Sequence, residues 1–180
     1  MDSSIILLNH DQIKLTITRL AKQVLENHDF SEQSVLIGLQ SRGVAFAKEL
    51  LPEIENISKK KVQYGELDIT FYRDDYRTRE TPLTANETNI DFSLENKKVV
   101  LVDDVLFTGR SIRSAMDALL DFGRPKEVEF LTLIDRRFKR EFPIQADYIG
   151  RSVDSIESER VSVEWHTDNG NVVKLLANKK

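Results

Sequence analysis

The sequence predicts an α/β fold in which a mostly parallel central sheet is flanked by helices. Three short apolar runs, at 34–39, 99–102 and 128–134, have the length and composition of buried strands. Segments with the i, i+3, i+4 spacing of amphipathic helices lie between them. This alternation favours parallel pairing, and the binding sites of such folds lie beyond the carboxyl ends of the strands.

The first half of the chain is predicted to contain a helix, a strand, a second helix and a second strand. Asn9 or Asp11 is the expected N-cap of the first helix. A polar, highly charged segment without periodicity follows at 73–92, and a loop of this length is usually a lid or a binding loop. The predicted elements are the helix 11–28, the strand 34–39, the helix 44–51 and the strand 62–72.

The second half of the chain continues the alternation and ends in short strands. Gly123 is the expected stop signal of a helix, and Pro125 follows it. The predicted elements are the strand 99–102, a turn at 103–110, the helix 111–122, the strand 128–134 and shorter strands at 146–150, 161–165 and 172–176.

Composition bounds the class of protein. A length of 180 residues suits one domain over 1–180, and 40% hydrophobic residues suffice for a core. Because the chain has no Cys, disulfides, a thiol nucleophile and Cys-ligated metal sites are excluded. The apolar run 5–8 lacks a basic region before it, and no run reaches the ~20 residues of a membrane span, so a cytoplasmic location is expected. The net charge of −4 gives no whole-chain reason to expect nucleic-acid binding.

The most informative segment is VVLVDDVLFTGRS, which starts as a buried strand and ends at a helix. Unpaired N–H groups at a helix N-terminus bind phosphate well, and Thr108 and Ser111 add hydroxyl donors beside Gly109. Asp103 and Asp104 suit ribose hydroxyls, Mg²⁺ or both. The segment thus predicts a sugar-phosphate site. The alternative is a plain strand–turn–helix in which one aspartate is the N-cap; neither the GxxxxGKS/T nor the GxGxxG nucleotide motif is present.

This segment closely resembles the 5-phosphoribosyl-1-pyrophosphate (PRPP) motif of type I phosphoribosyltransferases. Four other stretches are similar to one family, the bifunctional pyrimidine operon regulator/uracil phosphoribosyltransferase (PyrR) family. The resemblance extends from about residue 17 to 176 and implies the type I phosphoribosyltransferase fold with a flexible hood loop at 73–92. The stretches are GELDITFYRDD at 65–75, MDALLDFGRP at 116–125, LIDRR at 133–137 and PIQADYIGRS at 143–152.

The resemblance implies a reaction of uracil with PRPP that gives UMP and pyrophosphate, and it implies roles for individual residues. Asp103 and Asp104 would hold the ribose hydroxyls and, indirectly, Mg²⁺ on the ribose and pyrophosphate oxygens. Arg42 would act with them, from a pyrophosphate loop formed by Ser41, Arg42 and Gly43. The implied phosphate-binding residues are Val105, Leu106, Phe107, Thr108, Gly109, Arg110 and Ser111.

The resemblance also implies a hood and a base pocket. Hood arginines would close over PRPP and exclude water, and the alternative for each is a solvated loop charge. A base pocket would face the uracil ring, and the alternative for its valine is ordinary core packing. The hood residues are Arg73, Arg77 and Arg79, and the base-pocket residues are Asp135, Arg136 and Val161.

A regulatory role is implied as well, because members of this family bind the leader of pyrimidine operon mRNA when uridine nucleotides are present. Phosphate contacts from a basic face would supply affinity for RNA. The sequence departs from the pattern at Lys22, where His is usual, at Gln145, where Arg is usual, and in a longer loop at 136–140. The alternative is a solvated basic surface. The expected RNA face comprises Thr18, Arg19, Lys22, Arg140 and Arg151.

Three functions thus follow from the sequence. The first is an active uracil phosphoribosyltransferase that also binds operon mRNA in response to UMP. The second is an RNA-binding attenuation regulator whose nucleotide site only senses, and the third is a purine phosphoribosyltransferase. The expected partners are PRPP, uracil or UMP, pyrophosphate, Mg²⁺ and the mRNA, with no membrane and with a homodimer or homotetramer implied by resemblance. The three histidines lack metal-ligand spacing and are expected at the surface or in caps, whereas Trp165 is expected to pack.

Overall fold

A computed structural model describes residues 4–30, 33–74, 85–168 and 170–177. Five parallel strands form a central sheet: β2 (Ser34–Leu39), β3 (Gln63–Leu67), β4 (Lys98–Leu106), β5 (Glu127–Arg136) and β6 (Tyr148–Val153). Their order is β3–β2–β4–β5–β6, and every neighbouring pair is parallel. The predicted α/β class with a parallel central sheet is confirmed.

Helices cover both faces of this sheet, which explains why its strands are apolar throughout. The helices are α1 (His10–Asn27), α2 (Arg42–Ser58) and α3 (Arg110–Leu119). Leu36 and Val100 pack in the cluster that contains α1 and α2, whereas Val35 and Val99 pack on the other face with α3. Successive strand residues point to opposite faces, so both faces must be apolar. None of the helices in the described ranges is long and apolar enough to cross a membrane.

A second sheet of three antiparallel strands packs beside α1. Its strands are β1 (Ser4–Leu8), β7 (Glu159–Thr167) and β8 (Gly170–Ala177), in the order β1–β8–β7. The C-terminal strands predicted at 161–165 and 172–176 lie in this sheet. Strand β1 was not predicted, because a five-residue strand with mostly exposed side chains lacks a periodic signal.

Two predicted helix boundaries are confirmed, Asn9 at the start of α1 and Gly123 at the stop after α3. Asn9 is the N-cap of α1, where it forms a capping box with Gln12 through two contacts of 2.9 and 3.0 Å. Gly123, with a φ of 126°, ends the 3-10 turn that follows α3.

Two predicted boundaries were wrong in ways that matter for the site. Strand β4 continues to Leu106, since it pairs with β5 as far as Asp135, so the two aspartates predicted in a turn lie within a strand. Helix α2 begins at Arg42 and runs past Pro52, a residue that usually ends helices. Strand β4 and helix α2 therefore keep regular secondary structure up to the carboxyl edge of the sheet.

The amino edge of the sheet holds a buried polar network around His28. His28, only 2% exposed, follows α1 as its C-cap, and its Nδ1 and Nε2 lie 3.1 Å from Ser34 Oγ and 2.6 Å from Glu129 Oε2. The Tyr148 hydroxyl donates to the same Glu129 oxygen at 2.6 Å. His28 is thus a helix cap, as expected, but its side chain is buried in the interior of the protein.

Candidate active site

A cavity of about 630 Å³ opens at the carboxyl ends of the central strands. Strands β2 and β4 are hydrogen-bonded neighbours, so the segments that follow them meet at one edge. The cavity therefore brings together parts of the chain that are distant in sequence, as expected for a parallel sheet. From the predicted set it is lined by Ser41, Arg42, Arg73, Asp103, Asp104, Val105, Phe107, Ser111, Arg136 and Val161.

Asp103 and Asp104 are adjacent in the last part of β4, two to three residues before its end at Leu106. Asp104 is 3% exposed, and within the described part of the chain its Oδ2 has no hydrogen-bond partner. The nearest cation is the Arg42 guanidinium, at 3.9 Å from that oxygen. Asp103 Oδ1 accepts the Asp104 backbone N–H at 2.9 Å. A buried carboxylate oxygen without a partner costs free energy, so this one indicates a missing ligand.

Burial raises the pKa of both carboxyl groups. The pKa of Asp103 lies well above its ordinary value because of burial and the neighbouring charge of Asp104. The pKa of Asp104 is also raised by burial, although Arg42 opposes the shift. Hydroxyl donors or a cation at this point would stabilise the charged forms.

The residues that could hold a metal here are few. Within the described ranges no group of three or more His, Cys, Asp or Glu side chains is arranged to bind a metal ion. Asp103 and Asp104 supply hard oxygen donors of the kind that Mg²⁺ prefers, and Mg²⁺ is usually bound through one or two carboxylates plus ligand oxygens. The donor set therefore fits Mg²⁺ only if a substrate completes the coordination.

The predicted pyrophosphate loop forms the start of α2. Ser41, the N-cap residue, makes no side-chain capping bond, so the first backbone N–H groups are left for another acceptor. Gly43 packs directly on β4, where a Cβ would collide with the Val102 carbonyl oxygen and lie 3.0 Å from Asp103 Cα. Only glycine permits this approach, which fixes the loop beside the carboxylates.

The predicted phosphate loop connects β4 to α3. Gly109, with a φ of 88°, is the N-cap of α3 and offers no side-chain bond to the first turn. The Thr108 carbonyl accepts the backbone N–H groups of Glu141 and Phe142 at 2.9 and 3.1 Å, which anchors the loop from outside. The Arg110 backbone N–H makes only a long contact, 3.4 Å, to Thr108 Oγ1, so this helix N-terminus beside a hydroxyl-bearing turn is suited to bind a phosphate.

The members of the predicted phosphate set differ in where their side chains lie. Val105, Phe107 and Ser111 line the cavity. Leu106 instead packs in the hydrophobic cluster with α3, so only its backbone is available to a ligand. The Arg110 side chain is paired with Asp74 and with Glu141 rather than with the cavity.

The predicted base pocket contains an arginine stacked on an aromatic ring. The Arg136 guanidinium lies 3.7 Å from the centroid of the Phe107 ring. It donates to Ser155 Oγ at 2.7 Å and to the carbonyl oxygens of Ile156 and Glu159 at 3.2 and 2.9 Å. The sequence identified Arg136 but not its partners, because Ser155 lies 19 residues away in a loop without a motif.

The other two base-pocket predictions had different outcomes. Val161 is buried and lines the cavity, carried there by the edge strand β7. Asp135 does not line it; its carboxylate accepts a hydrogen bond from Arg140 at 2.6 Å. Residues of β5 alternate in direction, so Arg136 faces the cavity and Asp135 faces Arg140; a role of Asp135 at the base stays a prediction.

The hood is described only in part. Arg73 lines the cavity, and Arg77 and Arg79 lie outside the described residues. The sequence reasoning missed Asp68, whose carboxylate accepts the backbone N–H groups of Thr70 at 3.1 Å and Asn86 at 2.9 Å. Asp68, which directly follows β3, thus holds the segment just before the hood and a residue within it. The stretch GELDITFY contains it, and its acidic residue after an apolar strand was the available signal.

The basic run 136–140 is not the open cationic patch that its sequence suggests. Arg136 is buried, Arg137 pairs with Asp154 at 2.6 Å, and Lys139 pairs with Glu157. Arg140 pairs with Asp135, and its side chain is only 20% exposed. Its guanidinium is turned inward toward a buried carboxylate, and its place in the expected RNA face stays a prediction.

The remaining members of the expected RNA face lie near one another on α1 and β6. Arg19 donates to the Gly150 carbonyl oxygen at 2.6 Å, beside Arg151, which donates to the Leu7 carbonyl oxygen. The Thr18 hydroxyl donates to Glu53 at 2.9 Å, and Lys22 is exposed. This smaller set, Thr18, Arg19, Lys22 and Arg151, is the basic surface that the fold brings together.

Comparison with known proteins gives a consistent result. The phosphoribosyl transferase domain family matches residues 4–168. The bifunctional protein PyrR of Caldicellulosiruptor saccharolyticus is 44% identical over 173 residues, which cover 94% of each chain. The PyrR proteins of Geobacter sulfurreducens and Clostridium novyi are 43% and 45% identical over 169 and 164 residues, covering at least 91% of each chain.

Solved structures resemble this one in fold. A hypoxanthine phosphoribosyltransferase of Trypanosoma cruzi matches with a TM-score of 0.71 and 16% identity over 97% of each chain. Another, of Staphylococcus aureus, has a TM-score of 0.65 and 23% identity, covering 84% of this chain and 79% of its own. At such identities the likeness concerns the fold and not the base.

Proposed function

The chain belongs to the PyrR family and has the type I phosphoribosyltransferase fold, and on this premise we propose that it is a uracil phosphoribosyltransferase. It converts uracil and PRPP to UMP and pyrophosphate. The observation that carries the proposal is the unpartnered Asp104 oxygen, which faces one cavity together with the Gly43 loop and the uncapped start of α3. Each of these features lacks a partner that PRPP would supply.

PRPP is held at its two ends by different chemistry. Asp103 and Asp104 accept hydrogen bonds from the ribose hydroxyls, which satisfies the buried oxygen of Asp104. The backbone N–H groups at the start of α3 bind the 5-phosphate, with the hydroxyls of Thr108 and Ser111. The carboxylates cannot exchange this role with the phosphate site, because like charges repel.

The reaction breaks the bond between the anomeric carbon and pyrophosphate as the N1 nitrogen of uracil attacks; the proton on that nitrogen is released to water, and pyrophosphate leaves with the electron pair of the broken bond. The sugar passes through an oxocarbenium-like state, and the buried negative charge of Asp103 and Asp104 stabilises that positive character. Arg42 and the N–H groups of the Ser41–Gly43 loop stabilise the departing pyrophosphate. These interactions strengthen as charge develops, which is what lowers the barrier.

Mg²⁺ is part of the proposal. Asp103 and Asp104 would hold it indirectly, through ribose and pyrophosphate oxygens, in keeping with the finding that no three His, Cys, Asp or Glu side chains of the described residues are arranged to bind a metal by themselves. When bound, it supplies charge neutralisation of the leaving group.

The base is bound between the Val161 strand and the Phe107–Arg136 stack. Val161 covers one face of the ring, largely with its backbone. Arg136 holds Phe107 in place and is itself held by three oxygen acceptors, so this wall is rigid. A wall fixed in this way supports recognition of one small planar base.

We also propose a regulatory role, in which the protein binds the leader of pyrimidine operon mRNA when UMP occupies the site. The support is family membership together with the surface formed by Thr18, Arg19, Lys22 and Arg151. Phosphate contacts from these cations would supply most of the affinity, and exposed RNA bases the specificity. A cytoplasmic location and a homodimer or homotetramer complete the proposal and are supported by the family alone.

One assay tests the enzyme. Pyrophosphate release is measured with PRPP, Mg²⁺ and, in separate reactions, uracil, hypoxanthine and guanine. We expect turnover with uracil alone, and none with the Asp103→Asn/Asp104→Asn variant. Turnover of a purine instead of uracil would replace the substrate, and no turnover of any base, with RNA binding intact, would leave a regulator whose site only senses.

A binding assay tests the regulatory role. Affinity for the operon leader RNA is measured with and without UMP, at two salt concentrations. Arg19→Ala should weaken binding and reduce its salt dependence, whereas Arg113→Ala, on α3 at the opposite face, is the matched control. Equal affinities for both variants and the wild type would remove the surface from consideration.

A further inference from the structure

We propose that Arg140 is a positioning residue that holds the phosphate loop and the base-pocket wall in place, and that it acts from behind the cavity without touching substrate. The inference rests on the proposed function and deepens it, since it assigns the residue that connects the loop proposed to bind the phosphate with the wall proposed to face the base. Arg140 stands in a basic run that resembles a nucleic-acid surface, and from the sequence it was expected to contact RNA.

The contacts of Arg140 point inward. One terminal nitrogen lies 2.6 Å from Asp135 Oδ1, and the other donates to the Phe107 carbonyl oxygen. The side chains of Arg140 and Asp135 are only 20% and 9% exposed. A partly buried, charge-assisted pair of this kind holds its geometry far better than a surface ion pair.

Phe107 is consequently held from two sides. Its carbonyl is held by Arg140, and its ring lies under the guanidinium of Arg136, 3.7 Å away. Phe107 is followed directly by Thr108 and Gly109, which form the phosphate loop. A displacement of Phe107 would therefore move the wall of the base pocket and the phosphate loop together.

The residues that follow Arg140 continue the same contact. The backbone N–H groups of Glu141 and Phe142 both donate to the Thr108 carbonyl oxygen. Gly109 packs against Phe142 and Ile144, where a Cβ would be in contact at 3.4 Å. The segment 140–144 is thus the outer support of the loop, and Arg140 is its charged anchor.

Arginine is the residue that this arrangement requires. Its planar guanidinium presents two nitrogens in a fixed fork, so it bonds the carboxylate and the carbonyl at once. Lysine at this position would keep the charge next to Asp135 but place one nitrogen between two acceptors. Because the phosphate is bound alike in the ground and transition states, loosening its loop should raise KM more than it lowers kcat.

The test compares Arg140→Lys with the matched control Arg137→Lys, which lies in the same run and pairs with the exposed Asp154. We expect Arg140→Lys to raise KM for PRPP about tenfold and to weaken UMP binding by the same factor, the size of one lost charge-assisted hydrogen bond. We expect kcat to change less than about threefold, and Arg137→Lys to match the wild type.

A second variant, Asp135→Asn/Arg140→Gln, removes both charges and leaves no buried ion unpaired. Calorimetric titration with UMP serves as a readout that needs no turnover of uracil. If the wild type binds UMP but does not use uracil, the proposed function fails and the positioning role is still decided by the variants.

Several results would overturn the role of Arg140. One is a folded Arg140→Lys protein with wild-type UMP affinity and KM. Another is a variant that loses RNA binding alone, which would make Arg140 a nucleic-acid contact. A third is failure of both variants to fold, which would show that Arg140 serves folding and not positioning. Absence of UMP binding in the wild type would remove the phosphate site itself.

Discussion

The two edges of the central sheet each bury a cluster of polar groups, and the clusters differ in one respect. At the amino edge, His28, Ser34, Glu129 and Tyr148 satisfy one another through short hydrogen bonds. At the carboxyl edge, Asp103 and Asp104 are adjacent like charges, and Asp104 retains an oxygen without a partner in the described part of the chain. Among the described residues, the amino edge thus carries a network whose members bond one another, which we call the closed end. The carboxyl edge carries a cluster with an oxygen that lacks a partner, which we call the open end.

The difference separates a structural cluster from a functional one. A buried polar group that is hydrogen-bonded costs little, whereas an unsatisfied one costs about 1–3 kcal/mol. For a group of the second kind that faces a cavity, as Asp104 does, a ligand that completes it is the explanation we propose. Four changes test this comparison, from the largest expected effect to the smallest.

Removing charge at the open end should abolish turnover and stabilise the fold. For Asp103→Asn/Asp104→Asn we expect a loss of at least about 10³-fold in kcat, since charge stabilisation of the transition state is lost. Because the pKa of both groups is raised by burial and, for Asp103, by the charge of Asp104, ionisation costs the native state stability. The gain in free energy of unfolding should therefore grow as pH rises above the ordinary carboxyl pKa.

Thermal unfolding at pH 5 and pH 8, in the absence of ligand, checks the stability half of this prediction. The matched variant is Glu129→Gln at the closed end. A double asparagine variant that is less stable than the wild type at pH 8 would show that the open cluster is structural after all.

Gly43→Ala should disturb the open end through the backbone. Its Cβ would meet the Val102 carbonyl oxygen, so α2 and β4 must separate. We expect about 10²-fold lower kcat/KM, because small displacements of catalytic groups are costly, and a loss of about 1–3 kcal/mol in stability. Steady-state kinetics and urea unfolding measure the two effects, with Gly150→Ala, which meets the Leu133 carbonyl away from the cavity, as the control for overpacking alone. Equal activity loss in both would contradict a local effect.

Glu129→Gln should weaken the closed end and leave catalysis unchanged. A neutral amide replaces a charged acceptor of two hydrogen bonds, so about 1–2 kcal/mol of stability should be lost at pH 7. Burial alone would raise the pKa of Glu129, but hydrogen bonds from Tyr148 and His28 outweigh it and lower the pKa. The difference from the wild type should therefore be present above the ordinary carboxyl pKa and shrink as pH falls through the lowered one. Urea unfolding between pH 3 and pH 7 tests the trend, and a constant difference would refute it.

The smallest effect should come from Arg137→Ala. Its pair with Asp154 is exposed, and such pairs contribute at most about 1 kcal/mol. We expect unchanged turnover and a change in melting temperature of a few degrees at most. A clear loss of activity would mean that the basic run serves the cavity beyond Arg140.

Local sequence was sufficient to predict those parts of the candidate site that lie within one short stretch of the chain. The two aspartates, the Thr108–Gly109 turn and the Ser41–Gly43 loop were identified, since each lies next to an apolar strand that marks the edge of the sheet. Long-range partners could not be predicted. The inward turn of Arg140 depends in part on Phe107, which is 33 residues away, and the burial of His28 depends on Glu129, which is 101 residues away. A single sequence does not show which distant residues are in contact, so Arg140 was predicted to be a surface cation.

The contact of Gly43 with Val102 also bears on how the nucleobase preference of such a protein can change during evolution. It joins the strand that carries the proposed ribose-binding aspartates to the helix of the proposed pyrophosphate loop, and the Gly43 side of the contact is main chain alone, so a side chain added at Gly43 itself would alter their spacing. The groups proposed to face the base come from elsewhere, on the loop after β4 and on β5 and β7. A new nucleobase preference can therefore arise by exchanging those residues, while the machinery that breaks the glycosidic bond is inherited intact.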